Sequence, residues 1–236
     1  MRGHLRAGLI IAAALTCGLS SSAAASSSPK QLLAAIVDAA NARHSVHIAS
    51  KAEYGTVQLN EVDDVGTTVG IQRLTLIETG HTGHVTVIAT PKAAYVRGDA
   101  FTLVNYIGAK ASAAVKYDGV WIKFTPKDAG YKNTIAGVTL ASAISQLEPA
   151  APLRTIRHVT IGGVKVFGVR GVTPTGQPPP AADTIYARAV GDPLPVKQVV
   201  KLGKQRLSVT LSRWNEPIQL HIPKKTVRAS VALAGP

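Results

Sequence analysis

The chain has 236 residues, of which 46% are hydrophobic and 17% are charged. This composition excludes an intrinsically disordered protein, because disorder goes with low hydrophobicity and high charge. Lysine and arginine outnumber aspartate and glutamate 26 to 13, so we expect a basic surface that favours acidic partners.

The basic residues do not form the patterns of a nucleic-acid-binding protein. They are scattered singly, aromatic residues make up only 5%, and no zinc-finger, RNP or basic-helix motif occurs. We therefore expect no nucleic-acid partner. An anionic membrane or wall surface, contacted peripherally, fits the charge better, and a generally solvated basic face is the alternative.

The first 25 residues have the pattern of a signal peptide. Arg2, His4 and Arg6 form a positive region before an apolar run from Ala7 to Leu19, and Ala23-Ala24-Ala25 offers the small residues that signal peptidase requires. We expect cleavage after Ala25 and an exported protein, either secreted or in the periplasm or cell envelope. A retained membrane anchor is disfavoured, because the apolar run is shorter than the roughly 20 residues that span a bilayer.

Cys17 is the only cysteine, and it lies inside the predicted signal peptide. The mature protein is therefore expected to form no disulfide, and its stability must come from packing. Cys17 is also the one candidate lipidation site. The preceding Ala14-Leu15-Thr16 matches the lipoprotein pattern poorly, because that pattern has leucine three residues before the cysteine and a small residue just before it.

Residues 26–236 are expected to form one domain that begins with a helix. Ser28 and Pro29 are typical of a helix start, and apolar residues recur at spacings of three and four from Lys30 to Ala42. Alternation of apolar and polar residues then predicts a strand from Val46 to Tyr54.

The next stretch predicts a hairpin and one further strand. The strands are Gly70 to Thr79, His84 to Thr90 and Ala93 to Arg97, and the first two are joined by a turn over Gly80 to Gly83. Asp63-Asp64, the only adjacent pair of carboxylates, is predicted to lie in a loop before this hairpin.

The rest of the chain predicts helices around one strand and then a meander. Helices are expected at Asp99 to Gly108 and Thr139 to Leu147, on either side of a strand at Gly119 to Thr125. Gly176 to Pro180 is expected to form an exposed loop. Turn residues separate the C-terminal strands, which suits antiparallel pairing. These strands are Thr155 to Ile161, Val164 to Val172, Thr184 to Val190, Pro195 to Leu202, Arg206 to Trp214 and Ile218 to Ile222.

The sequence carries no recognisable catalytic motif. It lacks G-x-S-x-G, a P-loop, G-x-G-x-x-G and H-E-x-x-H, so we expect no enzyme and no cofactor. His81 and His84 have a spacing that metals accept, but a solvated hairpin tip without cysteine favours no metal site. A hydrolase with an unrecognised serine, histidine and acid remains an alternative.

Many strands with one apolar face and few helices predict a curved sheet that helices cover only in part. Such a sheet leaves an apolar concavity suited to a hydrophobic ligand. Aliphatic side chains dominate, which favours acyl chains, since each buried CH₂ contributes about 0.8 kcal/mol. The alternative is a concavity filled by the helices, as in an interaction or sensing module of the cell wall.

Three stretches resemble actinobacterial cell-envelope lipoproteins. They are A-Y-V-R-G-D-A-F (Ala94 to Phe101), D-G-V-W-I-K-F (Asp118 to Phe124) with V-T-L-A-S (Val138 to Ser142) behind it, and L-S-R-W-N-E-P-I-Q-L-H-I-P (Leu211 to Pro223). Together they are similar to the LppX/LprG-like group, whose fold resembles the periplasmic lipoprotein carrier LolA. The resemblance extends from Leu32 to Pro223.

This resemblance implies an α+β fold: a half-barrel of antiparallel strands with helices over the concave face. It also implies a noncatalytic monomer that binds or carries a lipid or lipoglycan in an apolar cavity. The implied sheet lining consists of Leu74, Leu76, Val85 and Val87. The implied helical lid consists of Phe101, Val104, Leu140 and Ile144.

Overall fold

The computed structural model describes residues 27–174 and 180–233. The predicted signal peptide, Cys17 and most of the predicted loop at Gly176 to Pro180 lie outside these residues. None of the helices in the two described ranges combines the length and the apolar character that crossing a bilayer takes.

The described chain alternates long strands with short helices. The helices are α1 (Pro29–Asn41), α2 (Ala100–Asn105), α3 (Ala111–Lys116), α4 (Tyr131–Thr134), α5 (Leu140–Ser145) and α6 (Ala229–Ala232). The first six strands are β1 (Ser45–Tyr54), β2 (Val57–Gly66), β3 (Gly70–Glu78), β4 (His81–Ala89), β5 (Ala94–Gly98) and β6 (Ile122–Phe124). The others are β7 (Ala150–Ile161), β8 (Val164–Val172), β9 (Ala182–Arg188), β10 (Pro195–Leu202), β11 (Gln205–Ser212) and β12 (Val227–Arg228).

All these strands belong to one curved sheet that does not close on itself. Its order is β12-β6-β5-β4-β3-β2-β1-β11-β10-β9-β8-β7, so two hairpin meanders meet where β1 pairs with β11. Every neighbouring pair is antiparallel except β12 and β6. This confirms the predicted fold class, a large open antiparallel sheet with few helices.

Helix α1 forms as the sequence predicts. Ser28 accepts a hydrogen bond from the backbone N–H of Gln31, and the Gln31 side chain accepts one from the Ser28 N–H in return. This reciprocal cap satisfies two N–H groups that a helix start otherwise leaves unpaired. Leu32, Ile36 and Ala40 follow on one buried stripe that lies against the sheet.

The helices pack on one face of the sheet, which we call the inner face, and they build two apolar cores there. The first core joins α1 and α5 to β1, β8, β9 and β11, and it includes Ile36, Val46, Ile144, Val169 and Leu211. The second core joins α2, α3 and α6 to β3–β6, and it includes Leu74, Val87, Leu103, Ile122 and Phe124. The opposite face of the sheet is the outer face.

Strand β2 corrects the predicted loop at Asp63-Asp64. The two aspartates lie in the middle of the sheet, where β2 pairs with β1 and β3 along its length. Alternation puts Leu59, Glu61, Asp63 and Val65 on the inner face. Because Glu61 and Asp63 are acidic, this stretch lacks the alternation of apolar and polar residues that predicts a strand.

The β3–β4 turn and the C-terminal segment also differ from the prediction. The β3–β4 turn is only Thr79-Gly80, both with positive φ, so His81 is in the strand and pairs with Glu78. The predicted strand at Ile218 to Ile222 is wrong, because this stretch has no regular secondary structure. The segment just before it is hydrogen-bonded to the start of β1. There, the backbone N–H of Asn215 donates to the carbonyl of Ser45 at 2.9 Å.

Candidate ligand-binding cavity on the inner face

A cavity of about 260 Å³ lies on the inner face, between the two apolar cores. The strands β1, β2, β3, β10 and β11 form its floor, and residues of α5 and of the segments after α2 and α4 form its walls. The apolar part of the lining is Ile48, Ala136, Gly137, Ala143, Leu147, Leu207 and Val209. The polar part is Ser50, Glu61, Asp63, Gln72, Tyr106, Gln146 and Gln198.

The register of three neighbouring strands brings the polar floor together. Asp63 on β2 lies opposite Gln72 on β3 and Ile48 on β1, while Glu61 lies opposite Ser50. Directly opposed residues on one face are within side-chain reach of each other. The inner face therefore carries a polar band where a packed sheet usually has aliphatic side chains.

A chain of hydrogen bonds runs through this band. Tyr106 donates its hydroxyl hydrogen to Gln72 Oε1 at 2.8 Å, and Gln72 Nε2 donates to Glu61 Oε1. Asp63 is also hydrogen-bonded to Glu61. Asp63 is only 5% exposed, and its Oδ1 is buried and accepts no hydrogen bond from a described group. A buried oxygen without a partner is costly, and it marks a place where a donor is missing.

Burial, the negative charges of Glu61 and Asp64 and the hydrogen bond with Glu61 together raise the pKa of Asp63 to about 9, and Arg73 acts in the opposite direction. Near neutral pH, Asp63 therefore keeps its proton and donates it to Glu61. Burial, with Glu61 and Asp63 nearby, also raises the pKa of Tyr106 to about 12, so that its hydroxyl remains a donor.

A second buried carboxylate supports the far side of the cavity. Gln198 Nε2 donates to both carboxylate oxygens of Asp183 at 3.0 Å across the β9–β10 pair. Burial raises the pKa of Asp183, and the hydrogen bonds from Gln198 and the Thr184 backbone oppose this effect, so that the resulting pKa is about 6. The amide of Gln198 is thus held in one orientation where it faces the cavity.

Solved structures with the same architecture identify the fold. LprF from Mycobacterium bovis matches with a TM-score of 0.52 and 14% identity, over 83% of this chain and 96% of that one. The lipoprotein LppX from Mycobacterium tuberculosis matches with a TM-score of 0.50 and 16% identity, over 82% of this chain and all of that one. This chain has the LprF and LppX fold. No family model and no curated protein matches it.

The likeness to LprF and LppX confirms, at the level of the fold, the resemblance found in the three sequence stretches. At such low identity the likeness transfers no residue roles. The arrangement of side chains in this chain therefore has to be described from its own contacts.

The eight residues that the resemblance implied for lining and lid lie in or beside the two cores of this LppX-like fold. Leu74, Leu76, Val85 and Val87 are buried in the second core, with Phe101 half-buried against it. Leu140 and Ile144 are buried in the first core. Val104, on α2, is 36% exposed. None of the eight borders the 260 Å³ cavity, so their role as lining and lid stays a prediction.

The residues that do border the cavity include five that the sequence analysis did not select: Glu61, Asp63, Gln72, Tyr106 and Gln198. For Glu61 and Asp63, the sequence does contain a pattern that could have identified them. From Val57 to Val65, every second residue reads Val, Leu, Glu, Asp, Val, which is a strand face interrupted by two acids.

An outer-face groove gathers basic side chains. Lys197, Val199 and Lys201 alternate with the inner-facing Gln198 and therefore point outward. With Arg170 and Arg206 they line a groove of about 340 Å³ whose apolar part includes Ile156, Val159, Tyr186 and Val199. Within the described ranges, none of the four cations forms an ion pair.

A further outer-face pocket contains a serine, a histidine and an acid, which bears on the hydrolase alternative. His47 Nδ1 lies 2.7 Å from Asp64 Oδ1, and Ser45 lines the same pocket. The Ser45 hydroxyl, however, donates to the backbone carbonyl of Glu216. Activation of a serine nucleophile needs a hydrogen bond to the histidine instead, and the described contacts do not provide it.

Proposed function

We propose that this protein is a noncatalytic carrier of the cell envelope that binds a lipid or an acylated lipid-linked molecule between the inner face and the helices. Residues 26–236 would act as one exported domain after removal of a signal peptide over residues 1–25. The observation that carries the proposal is the cavity beneath the helices, between two aliphatic cores, in a chain with the LprF and LppX fold.

Binding would work by partition of acyl chains into the aliphatic cores. The 260 Å³ cavity has room for a headgroup or a short chain, so a longer chain requires the helices to separate from the sheet. Helices α2 and α5 have six residues each, and short helices of this kind depend on packing for their stability. Each CH₂ that enters contributes about 0.8 kcal/mol, which offsets the packing lost between helix and sheet.

One observation favours a second candidate, an interaction module whose core stays filled. Leu74, Val87 and Ile144 are at most 3% exposed, so the interior around them is already packed. A module of this kind would bind partners at its surface and take up no lipid.

The outer-face groove supports a peripheral contact with an anionic membrane or wall surface. Four cations around an apolar floor fit phosphate-bearing headgroups, which attract basic side chains and accept apolar ones beneath them. A carrier that docks in this way would keep its inner face and helices free to exchange the ligand.

Lipid mass spectrometry of the purified protein, together with titration of a fluorescent fatty acid, tests the proposal. Ala136 borders the cavity and is exposed, so Ala136→Trp should block the entrance and weaken probe binding by about fivefold or more. Ala111→Trp makes the same change at an exposed position outside the cavity lining and should leave binding unchanged. Protein that is consistently empty and ignores the probe would support the filled-core module instead.

A further inference from the structure

We propose that the inner-face cavity recognises a positively charged ammonium group, so that the ligand is an acylated amine. The inference rests on the proposed function only for the acyl chain. The preference for a cation follows from the cavity itself.

The cavity offers acceptors and lacks a donor. Asp63 borders the cavity and is 5% exposed, and its buried Oδ1 accepts no hydrogen bond from a described group. Glu61 already accepts from Gln72, and it shares the proton of Asp63. An ammonium group carries three N–H donors on one atom, so it can donate to the carboxyl groups of Asp63 and Glu61 at the same time.

The charge of the lining points the same way. Among the described residues, Glu61 and Asp63 are the only carboxylic acids that border the cavity, and no lysine, arginine or histidine borders it. Buried carboxylates are normally paired with a cation or neutralised by a proton. In the free protein, a proton neutralises Asp63. A positively charged ligand could neutralise the carboxyl pair in its place.

An anionic or sugar headgroup fits less well. A phosphate or carboxylate would face Glu61 across a small cavity, where repulsion between like charges is strong. Sugars prefer aromatic platforms, and Tyr106 is the only aromatic residue that the described part of the chain contributes to the lining.

Binding an ammonium group would displace the proton of Asp63. In the free protein the pair is a carboxylic acid and a carboxylate. In the complex both are carboxylates beside R–NH₃⁺, and one H⁺ leaves to solvent. The groups that face Asp63 are Glu61 on β2, Gln72 on β3 and Tyr106 after α2, with Gln146 and Gln198 on the far walls. Asp64 and Arg73 act on Asp63 from the neighbouring outer-face positions.

Three probes that share the same alkyl chain and differ in their headgroup test the inference: dodecylamine, dodecanoate and dodecanol. At neutral pH, dodecylamine should bind at least about tenfold more tightly than dodecanoate, although the net charge of +13 favours the opposite order. Calorimetry in two buffers of different ionisation enthalpy should show release of about one proton per bound amine. This measurement uses the unmodified protein and needs no variant.

Substitutions then locate the effect. Glu61→Gln/Asp63→Asn keeps the shape of both side chains and removes their charge, so the preference for the amine and the proton release should both disappear. Asp38→Asn/Glu53→Gln removes two negative charges from exposed positions outside the cavity lining, and it should keep the preference. Circular dichroism shows whether each variant is folded.

The outcomes separate this inference from the proposed function. Equal binding of the three probes, or tightest binding of dodecanoate, overturns the ammonium inference and leaves lipid binding standing. Binding of butylammonium with proton release, while no long-chain probe binds, supports the ammonium site and overturns the carrier function. Failure of every amine to bind overturns the inference.

Discussion

At the scale of single residues, the proton held by Asp63 makes the stability of the fold depend on pH. Its pKa is raised from 3.8 to about 9, so the folded state binds one more proton than the unfolded state between these values. Stability is therefore full below the lower value and falls as pH rises toward the upper one, by up to about 1.4 kcal/mol per pH unit.

Asp63→Asn should flatten this dependence. The amide has the shape of the protonated carboxyl but cannot ionise, so the variant should be the more stable protein in mild alkali. Between about pH 5 and about pH 8, the wild type should lose up to about 4 kcal/mol of unfolding free energy that the variant keeps. Urea denaturation at both pH values measures the difference.

Asp38→Asn is the matched control, because Asp38 is exposed on α1. It should keep the wild-type dependence on pH. If wild type and Asp63→Asn showed the same slope, the proton would not be held at Asp63.

At the scale of elements, the contact between α2 and β4 depends on a glycine, Gly83. A methyl group on Gly83 would lie 2.6 Å from Phe101 Cδ1 and 2.7 Å from Thr102 Cγ2. Asp99 caps the same helix by accepting from the Thr102 N–H at 2.8 Å. The glycine therefore lets α2 lie directly on the sheet.

Gly83→Ala should push α2 away from β4. Overpacking of this kind costs about 1–3 kcal/mol, which thermal denaturation would register. If α2 is part of the lid, the same change should speed the exchange of a fluorescent fatty acid, measured by stopped flow. Gly130→Ala is the control, since a methyl there has ordinary contacts with Phe124 at 3.4 Å. Faster exchange in both variants would exclude a specific role of α2.

The elements also show what the sequence could and could not predict. Helix α1 is predictable because its cap and its apolar stripe are local. Strand β2 is not, since Glu61 and Asp63 replace apolar residues on its inner face. The cavity itself depends on contacts between distant residues, such as Tyr106 with Gln72, and these contacts exist only once the strand order is known.

At the scale of the whole molecule, the inner-face cavity and the outer-face groove differ in charge. The inner-face cavity holds Glu61 and Asp63, whereas the outer-face groove holds Arg170, Lys201 and Arg206. Strand alternation produces this separation, because neighbouring residues of one strand point to opposite faces. The proposed contact with an anionic surface and the proposed binding of a cationic headgroup would therefore use separate sites.

The groove should govern binding to anionic vesicles. Wild-type protein should bind vesicles that contain phosphatidylglycerol and ignore vesicles of phosphatidylcholine alone, with binding that weakens in high salt. Each basic side chain near such a surface contributes about 1 kcal/mol, so Lys201→Glu/Arg206→Glu should reduce binding by at least about tenfold. Cosedimentation over a range of vesicle concentrations measures the affinity.

Lys92→Glu/Lys127→Glu separates the groove from the overall charge. Both lysines are exposed and lie outside the groove, and the double change alters the net charge by the same amount as the groove variant. If binding depends on local contact, this control should retain most of the wild-type affinity. Equal losses in the two variants would mean that the net charge of +13 attracts the protein to the surface without a defined docking face.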